Sequence, residues 1–287
     1  MVSFATHFAQ NTGSNQSPRA GVNAVYLGNH RVLLRTVWGH KMFVDSRDLS
    51  LSPHLILDGH WEMWISNIFR LLVQPGMQVI EVGANVGYYT LLAASLVGET
   101  GRVISVEANP HMAKFVNDNL DINGFRSRAT VVEAAAYSDR RVLRFAIFRD
   151  HMASSSLYAT AQSAAGVGDQ VTFTEIQAMP LDDLVPPGSR VDLVKVDAEG
   201  AELHVLQGAS RIIADNPDIL LLLEHGPDLL REVHQSGASA LFDFCAGMGM
   251  HCYLIRTDSK LQRCDFDDLM QAGHCDAVFT RRILEQG

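Results

Sequence analysis

Basic clusters are missing from this chain. Nowhere do five or more Lys and Arg residues gather, and the formal net charge is −9. A protein that holds nucleic acid through its phosphates shows a basic patch, so nucleic acid is not an expected partner. Long apolar runs are missing as well. No stretch reaches the roughly 18 apolar residues of a membrane-spanning helix. Met1 to Gly21 lacks the apolar core of a secretory signal, and a cytoplasmic protein with reduced thiols is the expectation. Cysteine is scarce: Cys245, Cys252, Cys264 and Cys275 lie 7, 12 and 11 residues apart. No C-x-x-C pair occurs, which excludes a zinc ribbon and a thioredoxin-type site. His251-Cys252 and His274-Cys275 read as scattered buried thiols, and Asp265, Asp267 and Asp268 fall short of a calcium-loop pattern. No metal ligand set is assigned.

Apolar residues are plentiful, at 47% of 287. That suffices for one large α/β domain with an N-terminal extension. Residues 1–21 are rich in Asn, Ser, Gln and Thr and read as a flexible arm. Residues 22–74 read as a small β-meander followed by one helix over Leu55–Val73, its apolar residues recurring at helical spacing. Residues 75–287 read as the catalytic domain, with a hairpin inserted at 141–180.

The stretch Met77–Thr90, MQVIEVGANVGYYT, organises that domain. Val79, Ile80 and Val82 predict a buried parallel strand. The strand breaks into Gly83-Ala84-Asn85-Val86-Gly87, and Tyr88 onward reads as helix. A strand, a glycine turn and a helix open a nucleotide-binding α/β unit. Gly83 permits the sharp turn, and Gly87 lets a ligand or a strand approach the backbone. Asn85 stands where a dinucleotide fingerprint wants glycine, which disfavours an NAD-dependent dehydrogenase. A ligand with an amino-acid end fits better. Its carboxylate meets free N–H groups at the helix start, and Glu81 attracts its ammonium group. S-adenosylmethionine has both.

A second strand, Arg102-VISVE, ends at Glu107, 20 residues past Gly87. An acidic residue there can accept two hydrogen bonds from a ribose diol. A helix over Pro110–Asn123 and a strand over Ala129–Ala135 follow, and Ala134-Ala135-Ala136 leaves room for a flat ring, with Ala135 the candidate beside it. Val191-DLVKVD predicts a fourth core strand ending at Asp197, and Ala198-Glu199-Gly200-Ala201-Glu202 turns into a helix reaching about Ile213. Glu81, Glu107, Asp197, Glu199 and Glu202 then share one rim, where like charges repel unless a cation offsets them. A sulfonium cofactor or a divalent cation would do so. The fifth strand, Asp218-ILLLLE, ends at Glu224-His225. His225 is the expected general base, because its ordinary pKa suits removing a proton from a hydroxyl. Asp197 is the competing base. Glu199 and Glu202 are expected to position substrate or to cap the helix start. The small polar residues of the hairpin tip, with His151 and Ser155 among them, are expected to reach over the site.

Three motifs together, VIEVGANVGYYT, GRVISVEANP and VDLVKVDAEGAELHVLQGA, resemble the FkbM family of S-adenosylmethionine-dependent methyltransferases over about Trp61 to Gly226. The resemblance implies a class I Rossmann-like methyltransferase fold, with a seven-stranded, mostly parallel sheet and helices on both faces. It also implies S-adenosylmethionine as cofactor and a hydroxyl acceptor. Glu62, beside Trp61, resembles the family's Trp-Glu pair before the cofactor strand and is a candidate to close over the site. Thr90 and Asn109 join Glu81, Gly83, Asn85, Gly87, Glu107, Ala135 and Asp197 as cofactor-side candidates. Glu62, Glu199, Glu202 and Ser155 are the substrate-side candidates.

The expected function is O-methylation of a sugar or other small hydroxylated metabolite. Rival readings are a protein or nucleic-acid acceptor and a non-catalytic cofactor-binding scaffold. Exposed parts of the meander are a candidate homodimer surface.

Overall fold

The computed structural model describes residues 24–226 and 239–284. The arm expected over 1–21, and the helix that the sequence suggests after His225 to about Ser236, fall on residues 1–23 and 227–238, outside the described residues. The chain opens with a three-stranded antiparallel sheet of β1 (Val25–Tyr26), β2 (Arg31–Arg35) and β3 (Lys41–Asp45). Alternation along β2 and β3 buries Val32, Leu34, Met42 and Val44 against the main body. The single helix expected over Leu55–Val73 is two: α1 (Ser52–Asp58) and α2 (Met63–Leu72). The first stops at Gly59. The chain then turns through Glu62, whose φ of 39° is left-handed and outside any helix. Apolar periodicity continues across the break, so periodicity alone does not reveal it.

The core unit follows: β4 (Gln78–Val82), α3 (Tyr88–Leu96), β5 (Arg102–Glu107), α4 (Pro110–Ile122) and β6 (Ala129–Glu133). Asn109 caps α4, accepting from His111 N at 3.0 Å, and Pro110 takes the first helical position. Asn119 on α4 ties the N-terminal sheet down. Its Oδ1 accepts from Phe43 N at 2.6 Å, and its Nδ2 donates to Phe43 O at 3.0 Å and to Val86 O at 2.8 Å.

A short strand β7 (Ala135–Ala136) then joins the inserted hairpin. Strands β8 (Arg141–Phe148) and β9 (Val171–Met179) pair antiparallel and form with β7 a separate three-stranded sheet. Their connection carries α5 (Ala161–Gly166), held by a capping box between Thr160 and Ser163. The chain returns to the main sheet at β10 (Leu193–Val196). The helix expected to reach Ile213 is again two, α6 (Glu202–Gln207) and α7 (Ser210–Asp215), broken at Gly208-Ala209. Then come β11 (Leu220–His225), α8 (Ser239–Gly247), β12 (His251–Ile255), β13 (Leu261–Cys264), α9 (Phe266–Gln271) and β14 (Cys275–Thr280).

The main sheet runs β13-β12-β14-β11-β10-β4-β5-β6. Strands β11, β10, β4, β5 and β6 are mutually parallel, and β14 is antiparallel between β11 and β12. Seven strands were expected and eight are present. The extra one, β13, makes a hairpin with β12 through a turn in which Arg256 N donates to Lys260 O at 2.9 Å. Its sequence, LQRC, is mostly uncovered and too short to show a two-residue period. Apolar clusters fill both faces of the sheet, one centred on α2, α3 and α4, the other on α6, α7 and α8. Among the described residues no helix is long and apolar enough to cross a membrane. Strand order reverses between β4 and β10, so a crevice opens past their C-terminal ends.

Candidate functional site

That crevice is a cavity bounded by the ends of β4, β5, β10 and β11, with residues 51–62 and the hairpin connection as its roof. Register puts its groups in rows. Ser105, Glu81 and Lys195 are partners across β5, β4 and β10. Glu224 and Asp276 are partners across β11 and β14.

Glu107 fastens the glycine loop. Its Oε2 accepts from Asn85 N at 2.7 Å and its Oε1 from Asn109 N at 2.7 Å. Burial pushes its carboxyl up to about 7, against the pull of those two backbone bonds. Asn85 itself is left-handed, at φ 51°. Gly83 has no room for a side chain: a Cβ there would lie 1.8 Å from Asp197 O. The missing methyl lets β10 and the loop meet at the switch point. Gly87 serves packing instead. A Cβ on it would sit 3.2 Å from Val116 Cγ1 on α4, and Gly87 lies outside the cavity lining.

Beneath the loop Glu81 is wholly buried. Its Oε2 accepts from Thr90 Oγ1 at 2.5 Å and from Ser105 Oγ at 3.3 Å. Burial raises its carboxyl to about 7. Lys195, 2% exposed, faces it from β10 and donates to Asp197 Oδ2 at 3.1 Å. Its ammonium also lies 4.6 Å from the centre of the Tyr89 ring. Burial pulls this lysine's pKa down, but Asp197, Glu81, Asp276 and Glu62 together hold it above its usual value. Among the described lining residues it is the only Lys or Arg.

An acidic group faces it. Asp197, Glu199 and Glu224 bring one carboxylate oxygen each within 4.8 Å of one another. Burial, then Glu224 and Asp197, push Glu199 up to about 9. Burial and Asp197 likewise raise Glu224. His274 sits at the mouth, 2.9 Å from Glu224 Oε1, and that bond raises its imidazole to about 9. Burial pushes Glu62 up to about 7. Carboxyls crowded this way hold protons near neutral pH and can donate as well as accept. Six non-glycine residues among those described have positive φ, and three of them, Glu62, Asn85 and Glu199, line this cavity. Such backbone strain persists where surrounding structure enforces it, and it gathers at functional sites.

The roof is tied at Asp48. This buried carboxylate accepts from Leu51 N at 3.0 Å and Ser52 N at 2.8 Å, and from Met152 N across the cleft at 3.2 Å. Ala153 N donates to Ser50 Oγ at 3.2 Å. Leu51, Trp61, Met152, Ala153, Ser155 and Leu157 therefore cover the cavity as one layer. The segment after the meander supplies that roof, rather than the meander strands. His151 turns away to Asp169, with Nδ1 3.0 Å from Oδ2.

Of the residues singled out in sequence, Glu62, Glu81, Gly83, Asn85, Glu107, Ala135, Ser155, Asp197 and Glu199 meet in the lining. Five do not. Gly87 packs on α4, as above. Thr90 is fully buried and spends its hydroxyl on Glu81. Asn109 caps α4 behind Glu107. Glu202 is buried, and its Oε1 accepts from Ala198 N and Gly200 N at 3.1 Å, so it folds the loop and does not reach substrate. His225, 1% exposed, packs its ring 5.0 Å from that of Phe242 on α8. Adjacent strand residues point to opposite faces, so Glu224 looks into the cavity and His225 away from it. Lys195 and Glu224 are the residues that sequence reasoning missed. A lysine inside the apolar run LVKV is the signal that would have found the first.

Five parallel strands, an antiparallel β14 and a glycine loop clamped by an acidic residue at the end of β5 define a class I methyltransferase. The methyltransferase FkbM domain matches residues 81–244, more than half of the chain, and the chain belongs to the FkbM methyltransferase family. Among curated proteins it is similar to protein-L-isoaspartate O-methyltransferases. One from Aeropyrum pernix is 44% identical over 59 residues, 21% of this chain and 23% of that protein. One from Methanopyrus kandleri is 46% identical over 52 residues, 18% of this chain and 23% of that protein. The chain thus matches under a quarter of the length of either relative. Among solved structures, a SAM-dependent methyltransferase from Aquifex aeolicus superposes with a TM-score of 0.43 at 14% identity, covering 76% of this chain and 87% of that one. An O-methyltransferase from Bacillus cereus in complex with SAH gives 0.44 at 12% identity, covering 75% and 79%.

The residues present fit the cofactor of this class, S-adenosylmethionine. Glu81 and Asp197 are acidic partners for its cationic groups, the Glu107 carboxyl keeps lone pairs for a diol, and Ala134 to Ala136 leave a flat space.

Proposed function

We propose that the protein is an S-adenosylmethionine-dependent O-methyltransferase whose acceptor is a hydroxyl of a sugar or another small hydroxylated metabolite. The observation that carries this reading is the Asp197–Glu199–Glu224 group beside the glycine loop. Carboxyls of mixed protonation accept from and donate to the several hydroxyls of a polyol. They also offer a base within reach of the reacting oxygen.

When bound, the cofactor supplies an electrophilic methyl group on a sulfonium. Glu107, the Gly83–Asn85 loop and Ala135 bind and orient it, while Glu81 and Asp197 place acidic groups beneath it. The Trp61–Met152 roof excludes water. Asp197, backed by Glu224, takes the acceptor's proton at a carboxylate oxygen, and Lys195 holds that carboxylate in place through its 3.1 Å bond. Positioning provides much of the rate, because the oxygen needs only to lie in line with the bond that breaks.

A protein acceptor is the second reading, since the curated relatives are named for protein L-isoaspartate. The test is calorimetric titration with S-adenosylhomocysteine, with NAD as control, followed by a methyl-transfer screen of polyols against an isoaspartyl peptide. Micromolar binding lost in Glu107→Ala, with transfer to a polyol, is the expected result. Transfer to the peptide alone would move the acceptor to protein. Binding of neither ligand would favour a scaffold.

A further inference from the structure

We infer that Cys252 and Cys264 form a reversible thiol–disulfide site on the sheet's outer hairpin, closed by exchange with a small-molecule disulfide. The two residues are direct partners across β12 and β13. Cys264 Sγ lies 3.6 Å from Cys252 Sγ, and Cys252 Sγ donates to Cys264 O at 3.0 Å. Among the described residues only this pair puts sulfur against sulfur.

Backbone geometry permits the bond. Arg256 N bonds Lys260 O at the hairpin's tip, and counting two residues at a time along the ladder makes Cys252 and Cys264 a hydrogen-bonded pair. Cα atoms of such a pair stand about 5.5 Å apart, inside the usual disulfide range of roughly 4.4–6.8 Å. Both side chains leave the same face of the hairpin. The sulfurs need to close by only about 1.5 Å to reach bonding distance.

The roles of the two thiols differ. Cys252 is 2% exposed, whereas Cys264 is partly exposed on the edge strand. Contact with Cys252 holds the Cys264 thiol below its ordinary pKa, and the same contact, with burial, raises Cys252. Cys264 is therefore the attacking thiolate. It attacks one sulfur of a disulfide such as oxidised glutathione and expels a thiolate. Cys252 then attacks the mixed disulfide at Cys264 and expels the second thiolate. The protein dithiol loses two electrons and two protons, and the small disulfide gains both as two thiols. The product ties the eighth strand to the sheet just before Asp265, the cap of α9.

The experiment treats the full chain with oxidised glutathione, then counts free thiols in denaturant and maps peptides without reduction. Free thiols should fall from the four of the sequence to two, the mass should drop by about 2 Da, and a Cys252–Cys264 peptide should appear. Dithiothreitol should restore all four. Cys245→Ser should leave the cross-link intact. Cys252→Ser should trap a stable glutathione adduct on Cys264. Four thiols persisting in the native sequence would overturn the proposal. So would a stable adduct there without cross-linking, or a bond through Cys245 or Cys275.

Discussion

Lys195 Nζ lies 3.1 Å from Asp197 Oδ2; the lysine sits on β10 and the aspartate directly follows that strand's end, two positions on. The lysine is buried to 3% side-chain exposure, while the aspartate keeps 33%. One partner is thus sealed in the protein and the other is presented to the cavity. A buried cation anchors an accessible carboxylate.

Replacing Lys195 with methionine should therefore be costly. It leaves Asp197 and Glu81 without their shared cation in a cavity that already holds Glu62, Glu199 and Glu224. Breaking a buried pair from one side typically costs about 3–5 kcal/mol. Urea denaturation of Lys195→Met should show a loss in that range, and adding Asp197→Asn should recover part of it. A loss below about 1 kcal/mol would mean that the carboxyls simply protonate and the lysine is dispensable.

Stability should fall as pH rises through neutrality. The carboxyls of Glu81 and Glu107 are each raised from 4.5 to about 7 in the folded protein by burial. The folded state then binds more protons than the unfolded state between those values. Stability is full below about 4.5 and is lost as pH climbs through 7. His274, raised from 6.5 to about 9, acts in the same direction over a higher window. Unfolding free energy measured at pH 5.5 should exceed that at pH 8 by about 2 kcal/mol or more. A flat or rising profile would show that the cavity carboxyls are ionised throughout.

The two loop glycines should respond unequally. A Cβ at Gly83 lands 1.8 Å from a backbone carbonyl, while one at Gly87 meets a valine side chain at 3.2 Å. Both positions are left-handed, at φ 78° and 88°, so each alanine costs about 1 kcal/mol or more in backbone strain alone. Gly83→Ala should yield no folded soluble protein. Gly87→Ala should fold with a melting temperature lowered by several degrees. Equal behaviour would contradict the close approach at the switch point.

Glu224→Gln and His225→Asn should separate chemistry from packing. With a polyol acceptor in hand, Glu224→Gln should lower turnover about 100-fold or more and leave S-adenosylhomocysteine affinity nearly unchanged. His225→Asn should lower the melting temperature and keep turnover within about threefold, because its ring packs on Phe242. The reverse pattern would return the base to His225.

Much of the fold was legible because its signals are local. Val79, Ile80 and Val82 name a buried strand by their own β-branched run, and Gly83 and Gly87 mark the turn. Pro110 and Asn109 announce a helix start. The two helices read as continuous were misread for one cause. Trp61 and Ile65 continue a helical period that Glu62 interrupts, and Leu206 and Ile213 continue one that Gly208 interrupts. Periodicity reports which residues are apolar and does not report where the backbone turns.

The sequence by itself determined the strand, glycine turn and acidic strand end on which the proposed cofactor site is built, because each is a short stretch whose residue types limit its own backbone. Only the tertiary structure decided which acids share the cavity. Glu224 and His225 are neighbours in the chain, yet the pleat sends one into the crevice and the other into the α8 packing. Lys195 and Glu81 are far apart in sequence, and the parallel register of β4 and β10 makes them face each other. A strand's direction of approach and its register depend on every other strand in the sheet. No single stretch of residues carries that information.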